Sequence, residues 1–225
     1  MTALKLSYAL SFGLALAALP LVARAEPAAG TVAAAPADSP GPWLKATVER
    51  AKKLAERKVK ADTPAEEAWK KDVKAAIDDV VDWGELTQRS LGKTWDARTP
   101  AERDEFAKLL RAIVEASYEA RLRQAAQGEV KEPAKIDIIW GEEKITGATA
   151  IARAQVKADK DGASLEFALK KVGATWRIFD VTIDDVSTLR TYRSQFNKII
   201  AEKGFPELIE RMKKKVEDVK AGKGL

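Results

Sequence analysis

The groups that could do chemistry in this 225-residue chain are carboxylates, because it contains neither histidine nor cysteine. That removes the imidazole-based triads, thiol nucleophiles and zinc sites of the usual ligand types, and with them disulfides and a lipid anchor on an N-terminal cysteine. Glycines are scattered at turns, with no phosphate-cradling loop. What remains is Glu142-Glu143, Asp184-Asp185 and Asp180. Adjacent carboxylates in a strand or turn point to opposite sides or into water, so the two pairs read as solvated surface. Asp180 shares the alternation of Trp176 and Ile178, which would half-bury it and demand a partner. A structural ion pair or a helix-capping acceptor is favoured there over a general base.

Basic residues cluster at Lys45, Arg50, Lys52, Lys53, Arg57, Lys58 and Lys60, and again at Lys213 to Lys215. Acids are interspersed, which fits the polar faces of amphipathic helices; a sharper reading is weak attraction to anionic headgroups. The formal net charge is +5, and without Lys5 and Arg24 of the leader described below it is +3. That is too mild for a nucleic-acid footprint.

The elements that would position these groups change character along the chain. Lys5, an apolar run from Leu6 to Val22 and the small-x-small Ala23-Arg24-Ala25 read as a signal peptide, residues 1–25, cleaved after Ala25. Residues 26–42 are rich in Ala and Pro, lack large apolar groups and are expected to form a disordered linker. The folded domain is expected over 43–220. No later segment is apolar for long enough to span a bilayer, so the mature chain is expected to be soluble and exported, with the periplasm as destination. About 200 residues suffice for one sizeable core.

Within the domain, Leu44, Val48, Ala51, Leu54 and Val59 recur at helical spacing, as do Trp69, Val73, Ile77, Val80 and Val81 after Thr63-Pro64. Thr99-Pro100-Ala101-Glu102 places a Thr cap before Pro and a Glu three residues on, the start of a long helix carrying Phe106, Leu110, Ile113, Tyr118 and Leu122 and ending before Gly128. The period then drops to two. Ile136, Ile138 and Trp140, then Ala148 to Val156, then Leu165, Phe167 and Leu169, and finally Trp176 to Ile183 read as four antiparallel strands with turns near Asp161-Gly162 and Gly173. Two amphipathic helices, split by Gly204 and Pro206, close the chain. The fold class is α+β, a four-stranded antiparallel curved sheet wrapped by amphipathic helices, with an N-terminal helical part.

The second strand presents Ala148, Ala150, Ala152, Ala154 and Val156 on one face, between strands that present Ile138, Trp140, Phe167 and Leu169. A small-residue strip between large neighbours leaves volume beneath the helices that cover it. Either a bulky helix side chain fills that volume, or a ligand does.

Trp176-Arg177-Ile178-Phe179-Asp180-Val181, Val186-Ser187 and Tyr192-Arg193-Ser194-Gln195-Phe196, with Asp82-Trp83, Leu91-Gly92 followed by Trp95, and Thr99 to Phe106 before Tyr118, resemble in order and spacing the MlaC/Ttg2D family. The similarity runs from about Trp43 to Met212. One departure is Asp185, where relatives tend to have Gly before Val-Ser. The resemblance implies an NTF2-like curved sheet and helices enclosing an apolar pocket for acyl chains. It implies a phospholipid-binding periplasmic component of the Mla (toluene-tolerance) ABC transport system, with phospholipid as cargo and no cofactor. It implies as partners an outer-membrane lipoprotein complex and an inner-membrane MCE-protein ABC transporter, met by a monomer. Val186, Tyr192 and Phe196 carry over from matching positions as pocket residues. Tyr118, Ile138, Trp140, Ala152, Ala154, Phe167 and Leu169 join them from strand and helix parity.

Two other readings stay open on the residues alone. One is an NTF2-like isomerase or hydrolase with Asp180 as base, because burial can raise a carboxyl pKa. The other is a periplasmic chaperone or scaffold that binds proteins through its amphipathic helices.

Overall fold

The computed structural model describes residues 39–60, 62–126, 137–157 and 162–221. The expected signal peptide and linker up to residue 38, the side chain of Leu122, and Ile136 and Asp161 lie outside the described residues. Helices α1 (Pro40–Glu56), α2 (Pro64–Val80), α3 (Trp83–Leu91) and α4 (Pro100–Ala126) precede the strands β1 (Asp137–Thr146), β2 (Thr149–Lys157), β3 (Gly162–Val172), β4 (Thr175–Ile183) and β5 (Val186–Ser187). Helices α5 (Thr188–Lys203) and α6 (Phe205–Lys220) close the chain. The class is α+β, as expected.

Helix starts follow local chemistry. Ser39 accepts from the Gly41 amide at 3.2 Å and Pro40 opens α1, so the helix begins inside the stretch expected as linker up to residue 42. Ser39 also donates to the Glu143 carboxylate on β1, which ties the α1 entrance to the sheet; Glu143, expected to be merely solvated, has this long-range role within the fold. Thr99 and Glu102 cap α4 reciprocally, the Glu102 amide reaching Thr99 Oγ1 at 3.3 Å and the Thr99 amide reaching Glu102 Oε2 at 2.8 Å. Glu66 on α2 is 3 % exposed, and Arg123 of α4 meets its carboxylate at 3.1 Å, so the buried charge is paired.

The sheet has the order β1-β2-β3-β4-β5 and is antiparallel throughout, one strand more than expected because the two residues of β5 turn back onto Thr182 and Ile183. Two irregularities bend it. The first lies between Trp140 and Glu143 of β1. At the second, Leu169 faces Ile178 but Ala168 faces Asp180, which leaves Phe179 as an extra residue. That bulge reverses the alternation of β4, so Asp180 lies on the opposite face from Ile178 rather than sharing it as the sequence pattern implied.

One face of the sheet carries Ala150, Ala152, Ala154, Leu165, Phe167, Leu169, Ile178 and Val181, all buried. Helix α1 packs against β1, β2 and β4, and α4 packs against α1, α2 and α6. Phe106 and Trp69 are fully buried in this core, and the Trp69 indole donates to the Leu54 carbonyl at 2.9 Å, which satisfies its one polar atom. Among the described residues no helix is long and apolar enough to cross a membrane.

Candidate functional site

The alanine strip forms as the pattern predicts. Ala152 stands between Glu143 and Phe167, Ala154 between Trp140 and Leu165, and Ala150 between Ile145 and Leu169. Because methyl groups reach so little above the sheet, the rings of Trp140 and Phe167 approach across the strip. Their centroids are 6.4 Å apart with planes inclined by 29°. Ile138 and Trp140 are half-buried on edge strand β1, while Ala152, Ala154, Phe167 and Leu169 are buried. These six residues of the expected set share one face of the sheet, a low alanine strip, or trough, between aromatic flanks, and all six belong to the hydrophobic core or pack against it. Ala148 falls in the β1–β2 turn and is exposed.

The other four expected residues lie elsewhere. Tyr118 lines a void of about 20 Å³ with Ala51 of α1, Ile77 and Val80 of α2, and Val81, room for a single water at most. Burial pushes its phenol up to about 12. The unfolded chain would ionise near 10, so the fold loses stability as pH climbs from 10 toward 12 and none below that window. Tyr192 and Phe196 stack at 5.9 Å within α5, and Phe196 meets Phe106 of α4 edge-on at 5.4 Å, which makes them part of the helical core. Val186 is 62 % exposed on β5 and borders an open groove with Arg190, Ser194 and Gln195.

Asp180 does not face the trough. Its Oδ1 accepts the Leu189 amide at 2.9 Å and its Oδ2 accepts the Ser187 hydroxyl at 2.6 Å, while Ser187 Oγ accepts the Arg190 amide at 3.0 Å. The carboxylate and the serine together satisfy the free amides at the start of α5, where a negative charge also complements the helix dipole. With both oxygens so engaged, Asp180 is a capping acceptor, one of the two structural roles that sequence reasoning favoured over a general base. Asp180→Asn keeps the shape but weakens the charge-assisted bonds, and is expected to lower the unfolding free energy by about 1 kcal/mol with helix content unchanged. Urea titration followed by circular dichroism measures both; an unchanged midpoint would remove Asp180 from the cap.

The turn before β5 explains the departure noted at Asp185. Asp184 and Asp185 have φ of 45° and 66°, a left-handed pair that glycine would adopt without strain and that aspartate tolerates better than most side chains. Asp184 accepts from the Ser164 amide at 2.8 Å, which holds the turn against β3.

Two further depressions escaped the sequence reading. Between α3 and α4 an open groove of about 650 Å³ is bordered by Trp83 and Trp95, over which Arg111 and Arg103 stack at 5.3 and 4.9 Å. At its end the Lys170 ammonium of β3 sits 2.5 Å from Glu85 and holds that carboxyl below its usual range, joining α3 to the sheet. A second depression, about 200 Å³, opens between α5 and α6 over Phe196, Leu208 and Met212. The signal for it was present in the sequence as Arg211 and Lys215 at the same four-residue spacing as Leu208 and Met212. Among the described residues no group of three or more carboxylates could hold a metal ion.

A family model described as MlaC protein matches residues 45–214. No curated protein matches the sequence. Among solved structures, the chain is similar to the phospholipid-binding protein from Ralstonia solanacearum in complex with a phospholipid. The identity is 16 % and the TM-score 0.63, over 81 % of this chain and 99 % of that one.

Proposed function

This chain belongs to the MlaC family, whose model spans three-quarters of it, and we propose that it is a periplasmic phospholipid carrier. In this reading it exchanges lipid with an outer-membrane lipoprotein complex and an inner-membrane MCE-protein ABC transporter, and is exported by a signal peptide cleaved after Ala25. The observation that carries the reading is the trough of Ala152 and Ala154 between Trp140 and Phe167, on the fold shared with the phospholipid-binding protein from Ralstonia solanacearum.

The physical case is one of solvation. Two acyl chains hold on the order of 30 methylenes, and at about 0.8 kcal/mol each their exposure to water would cost over ~20 kcal/mol. Unaided transfer between membranes is therefore slow. An apolar face that covers the chains removes most of that barrier and needs no catalytic group. Half-burial of Trp140 on the edge strand supports the same reading, because a ring with one open side can swing aside to admit a chain and close again behind it. Engagement of Asp180 in the α5 cap supports a binding protein rather than an enzyme.

Native mass spectrometry of the mature protein from a Gram-negative periplasm is expected to show phospholipid adducts, with the same lipids in organic extracts. A clean apo mass under gentle conditions, with extracts free of phospholipid, would favour a chaperone or scaffold instead.

A further inference from the structure

The bulge in β1 turns a carboxylate onto the alanine face of the sheet. In a regular strand Trp140 and Glu143 would point to opposite faces. The register shift between them sets Trp140 opposite Ala154 and Glu143 opposite Ala152, so both join the face that carries the alanine strip. Lys144 stands opposite Ile151 on the other face, and Glu142 reaches Arg153 there at 3.8 Å. The two adjacent acids are thus divided between the two sides of the sheet.

This rim is also where the alanine face meets water. Ile145, next on the same face, is 41 % exposed, Glu143 is exposed and Trp140 is half-buried, whereas Ala150, Ala152 and Ala154 behind them are buried. Glu143 Oε2 accepts from the Ser39 hydroxyl; among the described residues no cation pairs with the carboxylate and no donor reaches Oε1. Gly41 lets the carboxylate lie against the first turn of α1, because a Cβ there would collide with it. The partial positive charge of a helix start offsets only part of a full negative charge, and a hydroxyl adds no charge of its own. An anionic oxygen with an open acceptor, on the same rim as an indole, complements an ammonium group.

We propose that Glu143, with Trp140 on the same rim, receives the ammonium head of an ethanolamine phospholipid whose chains lie on the alanine face, so that the carrier prefers amine-bearing over glycerol heads. The proposal rests on the lipid-carrier reading and adds a headgroup preference to it. Both residues border the alanine strip itself, so head and chains meet on one continuous face. Because Glu143 is exposed, the preference is modest, about threefold, and salt should weaken it. The net charge of +3 without the leader would by itself favour an anionic lipid, so enrichment of the amine lipid has to come from a local contact.

The test equilibrates the mature chain with equimolar phosphatidylethanolamine and phosphatidylglycerol of identical acyl chains, dispersed in a nonionic detergent so that no charged membrane surface is present. The two lipids share a phosphate and differ in the amine. Lipid extracted from the repurified protein is quantified by mass spectrometry against internal standards. Wild-type protein is expected to carry phosphatidylethanolamine enriched by about threefold, and less at high salt. Glu143→Gln, which can still accept from Ser39, should return the bound ratio to the supplied one, with total lipid per protein and melting temperature near wild type. Glu143→Lys should reverse the preference, and Glu142→Gln, on the other face, should leave it unchanged. Wild-type protein with lipid in the supplied ratio, enrichment that survives Glu143→Gln, or an equal loss in Glu142→Gln would overturn the proposal and leave the carrier reading standing. Uptake of neither lipid by wild-type protein would overturn both.

Discussion

Replacing Ala154 with Trp is expected to strip most phospholipid from a protein that still folds. Ala154 lies in the trough between Trp140 and Leu165, and the Trp140 and Phe167 rings approach each other across the strip. A third large ring must take the space that acyl chains are proposed to use. Trp140 is half-buried on an edge strand, so it can swing outward and limit the strain to the usual cost of overpacking, about 1 to 3 kcal/mol. Phospholipid per folded molecule, from native mass spectrometry beside a melting curve, should drop severalfold more than stability explains. Full loading of the variant would show that Ala154 does not line the lipid site.

Phe106→Ala should do the opposite. Phe106 is 0 % exposed, and its ring meets Phe196 of α5 at 5.4 Å and Phe205 of α6 at 6.4 Å, so one side chain pins three helices together. Its removal is expected to cost about 3 to 5 kcal/mol, from lost burial and the cavity left behind. Chemical denaturation at neutral pH reads this directly. Phospholipid per folded molecule should stay near wild type, because the sheet trough is built from other residues. A loss below about 1 kcal/mol would mean that the helices close over the gap. Lipid loss without destabilisation would instead move the site from the sheet to the helical core.

Much of the fold was legible in short stretches. Thr99-Pro100-Ala101-Glu102 specifies a helix start whatever surrounds it, because the capping groups lie within four residues of each other. The alternation of Ala150, Ala152 and Ala154 specifies a strand with a small inward face, and the structure buries all three. The bulge in β4 was not legible. Ile178 and Phe179 are both apolar and both buried, so nothing in their types marks one as the extra residue. Its consequence was a wrong face for Asp180. A capping acceptor was still one of the two structural roles expected, beside an ion pair, since a half-buried carboxylate demands a partner.

The sequence by itself determined most of the helices and four of the five strands, which face of most of them is apolar, and that the groups for imidazole or thiol chemistry are missing. Tertiary structure decided where each apolar face went. Tyr192 and Phe196 carry the periodicity of any buried stripe, and only the packing of α5 against α6 sent them to the helical core rather than to the trough that holds Trp140 and Phe167. The physical reason is that the hydrophobic effect is non-directional. A stripe of large side chains states that it must be covered but not by what, whereas a cap or a strand alternation is a local geometric demand met within a few residues.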